Sequence, residues 1–279
     1  MAEIKSKFCL GRPQLLEVFV LFNLAFLALD VFIAHSINAF RHWAEWIPFY
    51  FSAVTAILLM VSFLYYRLDV LRNGARRLGS IVGWTSILVG ITGLILHLES
   101  QFFIQMTLQS LVYTAPFVAP LSFAGLGFLL LLNRQVDSES MDWGRWIIFF
   151  AWGGFVGNFV LSLCDHAQNG FFYLNEWIPV ASSALAIGFL LTVIISSVNH
   201  FFLKQCLWII GIQVIVGLLG FYFHLAADLR GPASSFMDNL KYGAPVFAPL
   251  LLPNLAILAT IGLWDILDKT LELQTQEAN

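Results

Sequence analysis

Four histidines in this chain stand at spacings that repeat. His35 and Asn38 lie 10 and 7 residues before Glu45, and His166 and Asn169 lie 10 and 7 before Glu176. His97 precedes the segment YTAPFVAP (Tyr113 to Pro120), and His224 precedes YGAPVFAP (Tyr242 to Pro249). Imidazole is a ligand for iron, copper, zinc or nickel, an axial ligand for haem and a proton carrier near neutral pH. A glutamate oxygen added to such a site favours iron, manganese or zinc over copper(I). Further carboxylates accompany each histidine: Asp30 is five residues before His35, Glu99 two after His97, Asp165 adjacent to His166, and Asp228 one helical turn after His224. A carboxylate that accepts the second imidazole proton fixes the tautomer and raises ligand basicity.

The expected site therefore has His35, His97, His166 and His224 as cofactor ligands, with Glu45 and Glu176 as further metal ligands. Asp30, Asp165, Glu99, Asp228, Asn38 and Asn169 form the surrounding layer. The cofactor classes are a transition metal (Fe, Cu or Zn) or haem b. Met106 and Met237 keep copper open, whereas haem lacks an arginine pair for its propionates. The motifs HxxxH, HExxH and CxxC are absent, so the inference rests on the repeat and on the cost of ionisable groups within apolar helices.

Elements able to position these residues follow from composition. Of 279 residues, 59% are hydrophobic and 11% charged, with mean hydropathy +0.81. A soluble domain carries about 25% charged residues. The apolar residues form eight continuous runs, near 14–37, 46–66, 80–98, 109–132, 145–165, 176–198, 206–226 and 243–264. A membrane-spanning helix needs about 20 such residues, and continuous runs read as helices rather than barrel strands. The expectation is an all-α integral membrane protein with eight transmembrane helices.

The segment EWIP, Glu45 to Pro48, recurs at Glu176 to Pro179, and the histidine and AP motifs recur at similar offsets. This predicts two tandem, parallel four-helix repeats, over residues 1–133 and 134–279. In each, the first and third helices end in histidine, while the second and fourth begin with EWIP or YxAPxxAP. Eleven basic residues fall on one side: Lys5, Lys7, Arg12, Arg67, Arg72, Arg76, Arg77, Arg134, Arg145, Lys204 and Lys269. Only Arg41, Arg230 and Lys241 fall on the other. The positive-inside rule then predicts cytoplasmic termini, in the plasma (inner) membrane, with all four histidines near the outer leaflet.

Simpler roles compete for several of these positions. Trp46 and Trp177 suit an aromatic belt, Pro48 and Pro179 a first helical turn, and Glu45 and Glu176 a helix N-terminus. The AP segments suit close helix packing. His42 and His200 have no repeated partner and read as surface residues. Cys9, Cys164 and Cys206 form neither an even set nor a cluster, which argues against disulfide chemistry.

With a net charge of −3, the composition points to the lipid bilayer as the principal partner and away from nucleic acid. The expected setting is an electron-transfer or oxidase-type membrane assembly binding metal or haem. A proton-coupled small-solute transporter and a non-catalytic structural subunit, docking a membrane or periplasmic/extracellular protein, are the alternatives.

Overall fold

The continuous apolar runs become long helices because a backbone shielded from water must bond to itself. A computed structural model describes residues 10–67 and 72–277. Its α-helices are α1 (Arg12–Ser36), α2 (Trp46–Arg67), α3 (Arg72–Glu99), α4 (Phe102–Gln105), α5 (Leu108–Tyr113) and α6 (Leu121–Gln135). They continue as α7 (Met141–Gln168), α8 (Trp177–Ile195), α9 (His200–Arg230), α10 (Phe236–Tyr242) and α11 (Leu251–Glu277). Short 3-10 turns at Trp43–Glu45, Leu174–Glu176 and Ala248–Leu250 lead into α2, α8 and α11. Among the described residues there is no strand.

Among the described residues, seven helices are long and apolar enough to cross a membrane: those of α1, α2, α3, α7, α8, α9 and α11. The fourth run, 109–132, is divided. Its first part forms α5, residues 114–120 leave the helix, and α6 has only 15 residues. Fifteen residues span about 22 Å, short of the roughly 30 Å of a hydrocarbon core. The interruption has a local cause, since proline disfavours helical geometry in the residue before it and donates no hydrogen bond. Ala115-Pro116 and Ala119-Pro120 impose this in the fourth run. Ala244-Pro245 and Ala248-Pro249 likewise delay the start of α11 to Leu251.

Packing closes two rings of four helices. In one, α1 packs on α2, α2 on α3, α3 on α6, and α6 back on α1. In the other, α7 packs on α8, α8 on α9, α9 on α11, and α11 back on α7. Contacts of α6 with α7 and of α11 with α1 join them, and the short helices cross over, α5 onto α7 and α10 onto α1. The buried core runs through both rings, from Leu16, Val20 and Leu24 of α1 to Trp143 and Ile147 of α7 and Ala259 and Leu263 of α11. Large side chains on other faces stay exposed, including Leu88, Trp208 and Ile215, as helices surrounded by lipid require.

The AP segments are packing devices. A Cβ on Gly90 would lie 2.6 Å from the Ala124 nitrogen and 2.9 Å from the Pro120 oxygen, and one on Gly93 2.8 Å from the Pro120 Cβ. In the other ring, a Cβ on Gly217 would lie 2.7 Å from the Pro249 oxygen, and one on Gly220 2.9 Å from the Pro249 Cβ. Only glycine lets these backbones approach so closely.

Candidate functional site

The four histidines lie in the C-terminal parts of α1, α3, α7 and α9, and the structure brings them together as two pairs. His35 and His97 have ring centroids 6.2 Å apart at 67°, and His166 and His224 have centroids 6.5 Å apart at 86°. No ring contact joins one pair to the other among the described residues. Among those residues, too, no three His, Cys, Asp or Glu side chains already converge closely enough to hold a metal ion.

Backbone carbonyls orient three of the rings. The Nδ1 of His97 donates to the Pro116 carbonyl at 2.9 Å, and that of His224 to the Pro245 carbonyl at 2.9 Å. His35 Nδ1 donates to the Glu45 carbonyl at 3.1 Å. A carbonyl only accepts, so each of these nitrogens carries the proton and, in the neutral ring, Nε2 keeps its lone pair. The fourth ring differs: His166 Nδ1 lies 3.7 Å from Glu176 Oε2.

The two glutamates stand in the 3-10 turns that enter α2 and α8. Glu45 Oε2 and Glu176 Oε2 are both buried without a hydrogen-bond partner. A buried carboxylate oxygen left unpaired is costly, which marks both positions as places where a cation or proton would be stabilised.

The other expected neighbours have different roles. Glu99 is exposed, Asp30 and Asp165 are partly buried, and none of the three hydrogen-bonds a histidine. Carbonyls take the imidazole protons that these carboxylates were expected to accept. Asp228 is buried at 2% exposure; its Oδ1 accepts from the Ala244 N–H at 3.0 Å, and its Oδ2 has no partner. Asn38 and Asn169 are exposed, and their N–H groups donate to the His35 and His166 carbonyls in the turns that end α1 and α7. His42 caps the first 3-10 turn by accepting from the Ala44 N–H, and His200 is exposed. Cys164 and Cys206 are free thiols, while Cys9 lies outside the described residues.

An aromatic clasp at each pair was not anticipated. Phe40 stacks on Trp46 at 4.0 Å and Phe171 on Trp177 at 3.9 Å, each phenylalanine ring standing 6.0 Å from His35 or His166. The turns that deliver these rings are left-handed: φ is 54° at Ala39, 50° at Phe40, 66° at Gly170 and 50° at Phe171. Left-handed backbone is strained for any residue with a side chain, and such strain concentrates at functional sites. The N–H groups of Phe40 and Phe171 bond back to the His35 and His166 carbonyls, which ties each clasp to its histidine. Phe40 and Phe171 are separated by the same offset as the EWIP segments, the one sequence signal that marks them.

At the opposite end, where the basic residues lie, several carboxylates are held in ion pairs. Arg12 bonds Asp265 at 2.6 Å and Asp268 at 3.1 Å, and Lys269 bonds Asp265 at 2.7 Å. Arg134 bonds Glu17 at 2.8 Å. Between the two ends, Asn23 of α1 and Asn254 of α11 exchange amide hydrogen bonds. No family model, no curated protein and no solved structure matches this chain.

Proposed function

We propose that this chain is an eight-span membrane protein of two tandem four-helix repeats, each holding one transition-metal centre near the outer leaflet. In each centre two histidine Nε2 atoms and one glutamate oxygen close around the ion. The observation that carries this reading is the arrangement found in both rings of helices: an Nδ1-anchored histidine paired with a second one, beside a buried glutamate oxygen that makes no hydrogen bond. Anchoring at Nδ1 directs the lone pair to Nε2, and the carboxylate offsets the charge of a bound cation. Both termini and the basic clusters are cytoplasmic on this reading, in the plasma membrane, by the positive-inside rule. Centres of this kind suit an electron-transfer or oxidase-type assembly.

Haem is the second reading, and the ring separation favours it. With an Nε2–metal distance of about 2 Å, two imidazole centroids lie about 5 Å apart across a tetrahedral angle and about 6.4 Å apart across a linear one. The observed 6.2 and 6.5 Å match the linear case. An ion held tetrahedrally would require each pair to close by about 1 Å.

Metal analysis and an optical spectrum of one purified preparation test both readings. The expected result is two metal ions per chain, falling to one in His97→Ala or His224→Ala with the protein still folded. A Soret band in place of free-ion binding would replace the ion by haem. A folded native preparation with no metal, no haem band and no uptake on reconstitution would overturn the reading and leave a structural subunit. Proton uptake into sealed vesicles driven by a solute, and lost in His35→Ala, would instead favour transport.

A further inference from the structure

Far from the histidines, at the basic end, a cavity of about 140 Å³ lies where the end of α8 and the loop after it meet the start of α7 and the C-terminal part of α11. Arg145, Ser196, Ser197 and Thr270 supply its polar walls, and Met141, Val193, Val198 and Ile266 its apolar ones. It is smaller than the roughly 300 Å³ at which pockets for small molecules begin, yet larger than the roughly 30 Å³ of one water. A cavity of that size suits one compact polar group.

Charge decides which group. Arg12, Lys269 and Arg134 are each held by a carboxylate, at 2.6, 2.7 and 2.8 Å respectively. Arg145 reaches Asp142 only at 4.0 Å, and both side chains are more than half exposed, so water screens that pairing. Among the described residues nothing hydrogen-bonds the Ser196 and Ser197 hydroxyls. A guanidinium with donors to spare, beside free hydroxyls, matches the oxygens of a phosphate group. At the repeat offset of EWIP, Ser196 and Ser197 correspond to Tyr65 and Tyr66, and Arg145 to Gln14, so the first repeat lacks this set.

α8 also carries an apolar groove. Ala184, Gly188 and Thr192 follow at four-residue spacing, and with Leu185, Phe189 and Phe202 they line a hollow of about 300 Å³ between α8 and α9. A Cβ on Gly188 would meet nothing within 4 Å. Thr192 donates its hydroxyl to the Gly188 carbonyl at 3.0 Å, which removes the one side-chain donor of the groove. Phe189 and Phe202 stack at 5.5 Å and close one side. Thr192 stands one turn before Ser196, about 6 Å along the helix. A charged group held at the cavity and a hydrocarbon chain held deeper on the same helix are the two parts of a phospholipid, whereas a free phosphate has no use for the groove.

We propose that the basic end of the second ring binds one anionic phospholipid of the adjacent leaflet, its phosphate at Arg145, Ser196 and Ser197 and an acyl chain in the groove between α8 and α9. Basic pockets between membrane helices attract such headgroups. This site is independent of any metal or haem at the histidine end.

The test titrates full-length protein in detergent with dioleoyl phosphatidylglycerol and counts bound lipid by native mass spectrometry. One tightly held lipid per chain is expected. Dioleoyl phosphatidylcholine, which has the same chains but no net charge, should bind about fivefold more weakly. Inorganic phosphate at equal concentration should not displace the lipid; if it does, the cavity takes a free anion and the lipid assignment falls. Arg145→Gln should weaken phosphatidylglycerol binding about fivefold, the effect of one basic group beside an anionic headgroup. Arg77→Gln removes the same charge from the same end without lining the cavity, and should leave the affinity unchanged. Ser197→Leu, at an exposed loop position, fills the cavity, and Gly188→Leu obstructs the groove. Each should weaken binding by itself. No loss in Arg145→Gln, or an equal loss in Arg77→Gln, would reduce the attraction to the general positive charge of this end and overturn the site.

Discussion

Buried carboxylates have opposite fates at the two ends of the bundle. At the basic end, Asp265 is 1% exposed and is held by both Arg12 and Lys269, while Glu17 is held by Arg134 and Asn133. At the histidine end, Glu45, Glu176 and Asp228 each keep a buried oxygen with no hydrogen-bond partner. The first arrangement links helices that are distant in sequence, α1 to α11 and α1 to α6. Lys269 also donates to the Ser138 and Ser140 carbonyls, drawing in the turn before α7. In that network Asp265 is bonded through both of its carboxylate oxygens. The second has unused acceptors beside histidine rings, an arrangement that gains from an added cation. Ion pairs therefore hold the helices together at one end, whereas carboxylate oxygens at the other are left without hydrogen bonds.

The largest expected effect breaks the comparison at the basic end. Asp265→Ala leaves Arg12 and Lys269 without their shared carboxylate and should cost about 3–5 kcal/mol, the range for losing one partner of a buried pair. Glu45→Gln and Glu176→Gln each replace an oxygen that makes no hydrogen bond, Glu176 having only the 3.7 Å contact with His166, and each should change stability by less than about 0.5 kcal/mol. Thermal unfolding of the three variants in one detergent checks this. Equal losses at both ends would make the glutamates structural.

Backbone packing should come next. Gly90→Ala and Gly217→Ala force a methyl group against the prolyl segments of α6 and α11 and should each cost about 1–3 kcal/mol. Gly125→Ala and Gly153→Ala, where a Cβ meets nothing within 4 Å, are the matched controls and should be neutral or slightly stabilising.

The Asn23–Asn254 bond lies between the two ends and joins α1 to α11. Asn23→Leu should cost about 1 kcal/mol, and a double-mutant cycle with Asn254→Leu should return a coupling of about 0.6–1.7 kcal/mol. A coupling near zero would show that the amides merely meet. The smallest effect concerns the aromatic clasp: Ala39→Gly relieves a left-handed backbone and should stabilise by about 0.5 kcal/mol. A loss of stability there would mean that the Ala39 methyl group packs in a way that outweighs its φ of 54°.

Much of the histidine end was legible from spacing. Spacing grouped His35, His97, His166 and His224 with Glu45 and Glu176, whereas the division of the histidines into two pairs came from the fold. The partners of the imidazole protons were not legible, because the Pro116, Pro245 and Glu45 carbonyls are backbone groups that every residue carries. Phe40 and Phe171 were missed among 27 phenylalanines, although their offset matched that of EWIP. Asn23 and Asn254 have no polar counterparts at the repeat offsets. They bond to each other across the two rings of helices, a contact that an internal offset cannot reveal.

The sequence by itself determined the helical, membrane-compatible character of the chain, since long apolar runs admit few backbone structures that satisfy their own hydrogen bonds in lipid. It also determined where two of those runs are interrupted, because the Ala-Pro pairs act locally on the backbone. Tertiary structure decided which charges are satisfied. Arg12 and Asp265 meet across 253 positions of sequence, and the fit of Gly217 against Pro249 and of Gly243 against Asp228 depends on distances that no spacing encodes. Only folding separates carboxylates that hold helices together from those left free beside histidine, because that difference depends on whether a cation lies within hydrogen-bonding reach.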